Sequence, residues 1–471
     1  MKSSAYLYHL LDNKGIIRRD LPTSKFPSAT SRELNNENQR SLQPRSEEVL
    51  ERLKAPKPLQ PKLVSSSEGK INSMLLTIPV DAIEGDIMAI YKKMLETLPK
   101  STRFACLVNT GSKAIVEEWL KTYGRDETSV VVEAPDYVGF SIWAQDAYAI
   151  STNLDQQAYF VEPLSFLRYA DAVVADYITQ ATNIKDFQVP LYFQGGNILV
   201  ADDFWLIGAD YPTKTLEYIN DAIILPEGEA PEALVKRLFR ENLDVSRELH
   251  YVGSQIPVPV DDVILVKEDS QYCVDMVFQG NEQGTVQPLF HIDMFLSLAG
   301  RDANGKYQIL VGDPSMAPMP PSAMVNSYTM QNVYDAIADG LKSGGFTVIR
   351  NPLPLTFSKQ TVKLEELNHS ENEKLYRIYL ELRNLGLTEV ELRNWYFATS
   401  NNALVEITDT FKRVWLPTYG YDEFKYLEDS DKKNQDIWEN LGFEVTMLPN
   451  CHILASGLGA VHCIQKYIER G

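Results

Sequence analysis

From Ile71 to the C-terminus the chain alternates short apolar runs of strand length with longer stretches whose apolar residues recur at helical spacing. This rhythm restricts the fold more than any other feature of the sequence. Ser73–Val80 reads as a strand. Asp86 is expected to cap a helix in which Ile87, Ile90, Tyr91, Met94 and Leu98 keep three-four spacing until Pro99. Phe104–Val108, the purest apolar run, is predicted as a buried strand, Lys113–Tyr123 as a helix and Ser129–Glu133 as a strand. Further strands are expected around Asn197–Leu206, Leu289–Leu298, Tyr307–Val311, Trp395–Ile407, Arg413–Leu416 and Phe443–Leu448. Helices are expected at Pro231–Asn242, Met330–Lys342, Lys363–Leu385 and Lys432–Leu441, and a last strand or helix through Cys463. Such alternation predicts an α/β fold. Neither Gly-x-Gly-x-x-Gly nor Gly-x-x-x-x-Gly-Lys-Ser/Thr occurs, so NAD, FAD and ATP are unsupported.

The rhythm does not extend to the N-terminus. Pro22–Ser67 is rich in Ser, Asn, Gln, Pro and Arg and includes Pro56-Lys57-Pro58-Leu59-Gln60-Pro61, a composition too poor in periodic apolar residues to offset its ordering entropy. Residues 1–70 hold 13 Lys/Arg against 8 Asp/Glu, whereas the whole chain of 471 residues carries −19. The expected organisation is therefore a polar, basic N-terminal segment with a Pro-rich linker (1–70), open to a protein partner, and one α/β domain (71–471). A surface this acidic is a poor match for nucleic acid, which needs a cationic footprint, and favours small cationic ligands. Phe104–Val108 is far short of the roughly 20 apolar residues of a membrane span, and Met1–Leu10 lacks the charged head and apolar core of a secretory leader. Four cysteines, Cys106, Cys273, Cys451 and Cys463, do not make a disulfide framework, so a reduced, cytoplasmic chain is expected, with leader-independent export left open.

Candidate chemistry lies in four short stretches. No His-Glu-x-x-His and no Cys-x-x-Cys is present, so a zinc site of the usual kinds is not expected, and His452 and His462 beside Cys451 and Cys463 lack the turn-like spacing of four ligands. His291-Ile292-Asp293, on a strand, would project an imidazole and a carboxylate from one face of an apolar segment. Trp143-Ala144-Gln145-Asp146 places an acid inside the apolar stretch Phe140–Ile150. Gln194-Gly195-Gly196-Asn197 reads as a tight turn opening a strand. Cys463 follows the glycine-containing approach Ser456-Gly457-Leu458-Gly459-Ala460-Val461-His462, where a thiolate can be presented if its neighbours lower its pKa. Taken singly, each has a blander explanation: an exposed strand face, a capping carboxylate, an ordinary turn, a buried apolar thiol.

Together and in this order, Trp-x-x-Asp, Gly-Gly-Asn, His-x-Asp and a C-terminal Gly-x-x-His-Cys resemble the guanidine-modifying (pentein) superfamily, over roughly residues 71–471. Trp143–Asp146, His291–Ser297 and Val461–Cys463 look most like peptidylarginine deiminases, whereas Trp395–Val405 and the turn Pro417-Thr418-Tyr419-Gly420 look more like agmatine deiminases. Departures are Gln145 where agmatine deiminases favour Arg, Gly457-Leu458-Gly459-Ala460 in place of three successive glycines, and Gln194 where many members have Glu. The resemblance implies a pseudo-fivefold α/β propeller of ββαβ units around a narrow central channel. It also implies deimination of an arginine-like guanidino substrate, free or protein-borne, with Cys463 as nucleophile and His291 as acid and base. Asp146 and Asp293 would grip the guanidinium, and Asn197 and Trp143 would complete the substrate site. It implies no metal and no organic cofactor. An amidinotransferase with the same nucleophile and a non-catalytic arginine-binding domain are the alternatives.

Overall fold

A computed structural model describes residues 57–471 apart from 165, 167, 223–229, 269–270, 282, 319–324 and 366–372. Most of the polar N-terminal segment, residues 1–56, thus lies outside the described residues. Among the described residues the strands form six open sheets of three or four strands each.

Five of these sheets are built on one unit: an antiparallel strand pair, a helical connection, and a third strand parallel to the second. Ile198–Val200 and Phe204–Gly208 pair antiparallel, the chain then runs through helices Asp210–Ala222 and Pro231–Asn242, and Glu248–Val252 returns parallel to Phe204–Gly208. The same order is made by Leu296–Arg301, Tyr307–Asp313, helix Gln331–Ser343 and Thr347–Pro352. Leu404–Ile407, Lys412–Thr418, helix Glu428–Asn440 and Glu444–Asn450 make another. Ala149–Thr152, Ala158–Glu162, helix Val174–Ala181 and Lys185–Gln188 repeat it. The fifth unit is closed by the two ends of the described chain. Its first strand is C-terminal, Gln465–Arg470, antiparallel to Ile71–Ile78, and helix Gly85–Thr97 leads to Arg103–Asn109. A helical crossover is what a parallel return requires, and it explains the spacing of apolar periods in the sequence.

Arg103–Asn109 shows why the apolar run is a strand. It lies between two parallel neighbours, Ile71–Ile78 and Val130–Ala134. Its side chains alternate between two cores: Phe104, Cys106 and Val108 pack with Ile90 and Met94, whereas Ala105 and Leu107 pack with Phe160 and Ile178. A strand buried on both faces has no polar alternation to show. Asp86 is not the cap of helix Gly85–Thr97. Glu84 precedes the helix, and Asp86 sits in its first turn, where a carboxylate meets the positive helix end.

The sixth sheet joins Asp262–Glu268, Gln271–Val277, Glu389–Phe397 and Leu355–Lys363. Here the expected helix Lys363–Leu385 is corrected. Lys363 ends a strand paired with Glu389, and the helix spans Glu373–Asn384. Antiparallel pairing with Glu389–Phe397 holds the chain extended through Lys363, so the charged stretch is helical only further on.

The segment before Ile71 is packed into the body. Lys62–Leu63 pairs with Thr152 and Ser151, Val64 and Ser66 donate backbone hydrogen bonds to Ile150 and Val200, and Arg470 donates to the carbonyls of Ser66, Ser67 and Gly69. Leu63, Ser65 and Ser67 are buried. The boundary expected at residue 70 therefore falls inside a packed segment. No described helix is long and apolar enough to cross a membrane.

Candidate active site

The four stretches singled out in the sequence meet as four turns. Trp143–Asp146 is closed by Asp146 N–H donating to Trp143 O (3.3 Å), and the strand begins only at Ala149. Gln194–Asn197 is closed by Asn197 N–H to Gln194 O (3.0 Å). His291–Asp293 is not the strand pair expected: a 3-10 turn spans Ile292–Met294, and the strand starts at Leu296. The reason is local, since Ile292 N–H is taken by the side chain of Asn197 (3.1 Å) rather than by a neighbouring strand. Cys463 likewise stands in a turn, immediately before Gln465–Arg470, and not in a strand or helix.

Backbone bonds stitch the turns together. Gln145 N–H donates to Cys463 O (3.1 Å), and Gly195 N–H donates to Asp146 O (2.9 Å). The glycines are dictated by close approach. A Cβ at Gly195 would lie 1.9 Å from Gln145 O, one at Gly196 2.5 Å from His291 Nδ1, and one at Gly459 2.3 Å from the Trp143 ring. Trp143, expected to line the substrate site, is thus placed against the turn that carries Cys463. Asn197, also expected there, is committed to the scaffold. Its Oδ1 accepts from Gln287 and from Ile292 N–H, and its Nδ2 donates to Gly208 O.

Cys463, His291 and Asp146 present donor atoms that all lie within 4.8 Å of one another. Asp293 Oδ2 is 3.6 Å from Cys463 Sγ and 2.7 Å from His462 Nδ1. Asn402 Nδ2 donates to Sγ (3.1 Å), while its Oδ1 accepts from the N–H groups of Ala460 and Cys463, so one side chain fixes the turn and touches the thiol. His291 Nε2 meets Gln194 Oε1 at 2.7 Å. An amide oxygen only accepts, so Nε2 carries the proton and Nδ1 is bare, 3.7 Å from Asp146 Oδ1. Asp146 Oδ2 is held by Arg168 at 2.6 Å, and Arg168 in turn meets Asp171 at 2.5 Å. His462, Asn402, Arg168 and Lys466, whose Nζ donates to Gln145 O (3.2 Å), were not singled out as site residues from the sequence.

Asp146, His291, Asp293, His462 and Cys463 are all buried. Four polar atoms among them have no hydrogen-bond partner: Asp146 Oδ1, Asp293 Oδ1, His291 Nδ1 and His462 Nε2. Buried polar atoms left unpaired are costly, and their concentration in one place marks a site shaped for a polar guest. The charges agree. Burial pushes the Asp146 carboxyl up, with Arg168 opposing. Burial, then the fields of Asp293 and Asp146, push the Cys463 thiol well up, although Ala460 and Asn402 oppose. Burial pushes His291 down to about 3, helped by the cationic Arg168 and opposed by Asp293. Without a guest, the pair is a thiol beside a neutral imidazole. Cys463, His291 and Asp146 are metal-ligand types, yet a structural site wants four ligands, and Arg168 already compensates Asp146.

No family model matches the sequence, and no curated protein matches it. Solved structures do match. A Porphyromonas gingivalis protein provisionally assigned as an arginine deiminase superposes with a TM-score of 0.51 at 14% identity, covering 86% of this chain and 97% of its own. A second protein, provisionally assigned as an agmatine deiminase, gives 0.53 at 13% identity, covering 88% and 98%. This chain therefore shares its mixed α/β fold, though not close sequence, with two proteins provisionally assigned as deiminases.

Proposed function

We propose that the chain hydrolyses a guanidino group to a ureido group and ammonia through a covalent intermediate on Cys463. The observation that carries this reading is the set of unpartnered buried atoms, two carboxylate oxygens and two ring nitrogens, carried by four residues that lie at or next to one thiol. The two similar structures carry assignments for arginine and agmatine, and what those share is a guanidinium. The reading includes the five repeated units standing as a pseudo-fivefold ring about a narrow channel, and a reducing, cytoplasmic setting in which Cys463 stays a thiol.

A guanidinium is planar, cationic and weakly electrophilic. Its N–H fork suits Asp146 Oδ1 and Asp293 Oδ1 as acceptors, in charge-assisted bonds. Its charge also relieves the fields that hold the thiol proton on, so substrate binding favours the thiolate. The proton passes to the bare Nδ1 of His291, and Sγ bonds to the central carbon. His291 returns the proton to the departing nitrogen, which leaves as ammonia. His291 then takes a proton from water as its oxygen attacks the same carbon. As the C–S bond breaks, His291 returns that proton to sulfur, and the remaining hydroxyl proton leaves to solvent, where the ammonia takes it up as ammonium. Atoms balance as guanidinium plus water giving ureido product plus ammonium. Asn402 would hold the thiolate through its Nδ2, and Gln194 fixes the tautomer that leaves Nδ1 able to act.

A cationic haloacetamidine tests the reading, because its amidinium mimics the fork and its carbon captures a thiolate. Intact-mass and peptide mapping should place one adduct on Cys463, suppressed by a guanidino substrate. Equal labelling by the neutral haloacetamide, or labelling elsewhere, would count against it.

A further inference from the structure

Lys466 has no part in the chemistry above, yet it lies where the site-forming turns meet. It is buried on the strand Gln465–Arg470, beside Leu75. Its Nζ donates to Gln145 O, the residue before Asp146, and a Cβ on Gly195 would come within 2.5 Å of it. A small cavity of about 30 Å³, about the size of one water, adjoins it between Gln145, Gly195 and Tyr467. The segment Leu63–Ser66 and the strand Ile198–Val200, which pack on the other side, offer only apolar and hydroxyl groups. Among the described residues no carboxylate bonds to this amine, and burying an ammonium unpaired is expensive. Burial lowers Lys466 to about 7, with the fields of Asp146 and Asp293 holding it from falling further. Other ionisable groups of the same cluster are Tyr467, which lines the cavity with it, His291, on which its field acts, and Arg168 and His462, which act with it on Asp146. Of these Arg168 is compensated by Asp146 and Asp171, and His291 is neutral.

Resting on the deiminase reading, we propose that Lys466 is a positioning residue whose amine gives up its proton to solvent when a guanidinium seats between Asp146 and Asp293, so that substrate binding and proton release are one event. The physical reason is that two cations then compete for the same two carboxylates in a medium of low dielectric. The substrate makes direct, bidentate contacts and the amine does not, so the amine yields. Neutral Lys466 keeps its bond to Gln145 O and holds the Asp146 turn in place. By linkage, affinity for the cation rises as pH rises through the range in which free Lys466 loses its proton.

The experiment uses the full chain with Cys463→Ser, which binds without turning over. The ligand is whichever of arginine, agmatine, a methylated arginine or an arginine-containing peptide the wild-type chain processes. Calorimetry at pH 6 and pH 8, in buffers of different ionisation heat, should show Kd falling about tenfold with release of up to one proton. Adding Lys466→Met should flatten the pH dependence and abolish the proton release. If that variant does not fold, carbon-13 lysine spectra of the Cys463→Ser chain should show one lysine titrating near neutrality and moving to lower pH with ligand. A pH-independent Kd, a profile unchanged by Lys466→Met, or no such lysine would overturn the inference while leaving deimination intact. A wild-type chain that processes none of the four compounds would overturn the functional reading and this inference with it.

Discussion

The two carboxylates of the site are held in different ways. Asp146 is gripped by a permanent cation, Arg168, which is itself tied to Asp171, and its turn leads into the strand Ala149–Thr152 that Lys62–Leu63 pairs with. Asp293 is gripped by His462, an imidazole from the turn that carries the thiol, and its turn is held by Asn197. The Asp146 half is thus bound to the scaffold by charge, and the Asp293 half is bound to the chemistry. Removing a charge from the first leaves the buried Arg168 guanidinium with Asp171 as its remaining carboxylate partner. Removing it from the second leaves the His462 ring facing an amide in place of a carboxylate. Both halves nonetheless keep one oxygen unpartnered, which is what a shared guest would use.

The largest expected effect bears on both halves at once. Cys463→Ser should lower turnover by a factor on the order of 10³ or more, because a hydroxyl supplies almost no oxyanion. Its thermal midpoint should be unchanged; residual turnover near wild type would dissociate the thiol from the carboxylates. Next come the carboxylates themselves. Asp293→Asn and Asp146→Asn should each cost on the order of 2–5 kcal/mol in kcat/KM. They should differ in stability: Asp146→Asn is expected to lose about 1–3 kcal/mol by denaturant titration, since Arg168 loses a partner, and Asp293→Asn much less. Equal losses would erase the distinction drawn between the halves.

Gly196→Ala acts between them, since its Cβ would meet His291 Nδ1 at 2.5 Å. Turnover should fall by about 10–100-fold, as expected for displacing a reacting group by a fraction of an ångström, with KM changing less. Gln194→Glu is milder. A carboxylate on His291 Nε2 favours the imidazolium, so the pKa rises from about 3 and the acidic limb of the kcat–pH profile should move to higher pH. An unmoved limb would take His291 out of the proton transfers.

How far this was legible in the sequence depends on the kind of signal. Arg103–Asn109 and Pro231–Asn242 were legible because period and burial are one-dimensional, and Phe104–Val108 announced a strand with both faces covered. The motifs single out Asp146, His291, Asp293 and Cys463, yet the spacing of His291-x-Asp293 predicts a strand face where the chain makes a turn. The period-two logic gave the convergence of the two side chains, but the turn made by Asn197 taking Ile292 N–H supplies it instead. Arg168, Asn402 and Lys466 carry no local signature. They matter only because residues 22, 109 and 321 positions from their partners Asp146, Asp293 and Gln145 fold back onto the site. The packing of the segment before Ile71 is not legible, because Leu63, Ser65 and Ser67 are isolated buried residues in a stretch of polar, Pro-rich composition.

That segment gives the smallest expected effect. A chain beginning at Lys57 should keep its thermal midpoint and turnover. Beginning at Ile71 should lower the midpoint and affect the Asp146 half first, because the Lys62–Leu63 pairing with Ser151 and Thr152 is lost. Identical midpoints for the two truncations would show that this pairing supports nothing.

The most direct test of guanidino hydrolysis is turnover in oxygen-18 water over arginine, agmatine, methylated arginines and an arginine-containing peptide, with ammonia and the ureido product measured together. At least one compound should give ammonia and ureido product in equal amounts, with one oxygen-18 atom in each ureido carbonyl and neither product from the Cys463→Ser chain. No ureido product from any of them, or undiminished product from Cys463→Ser, would contradict the account.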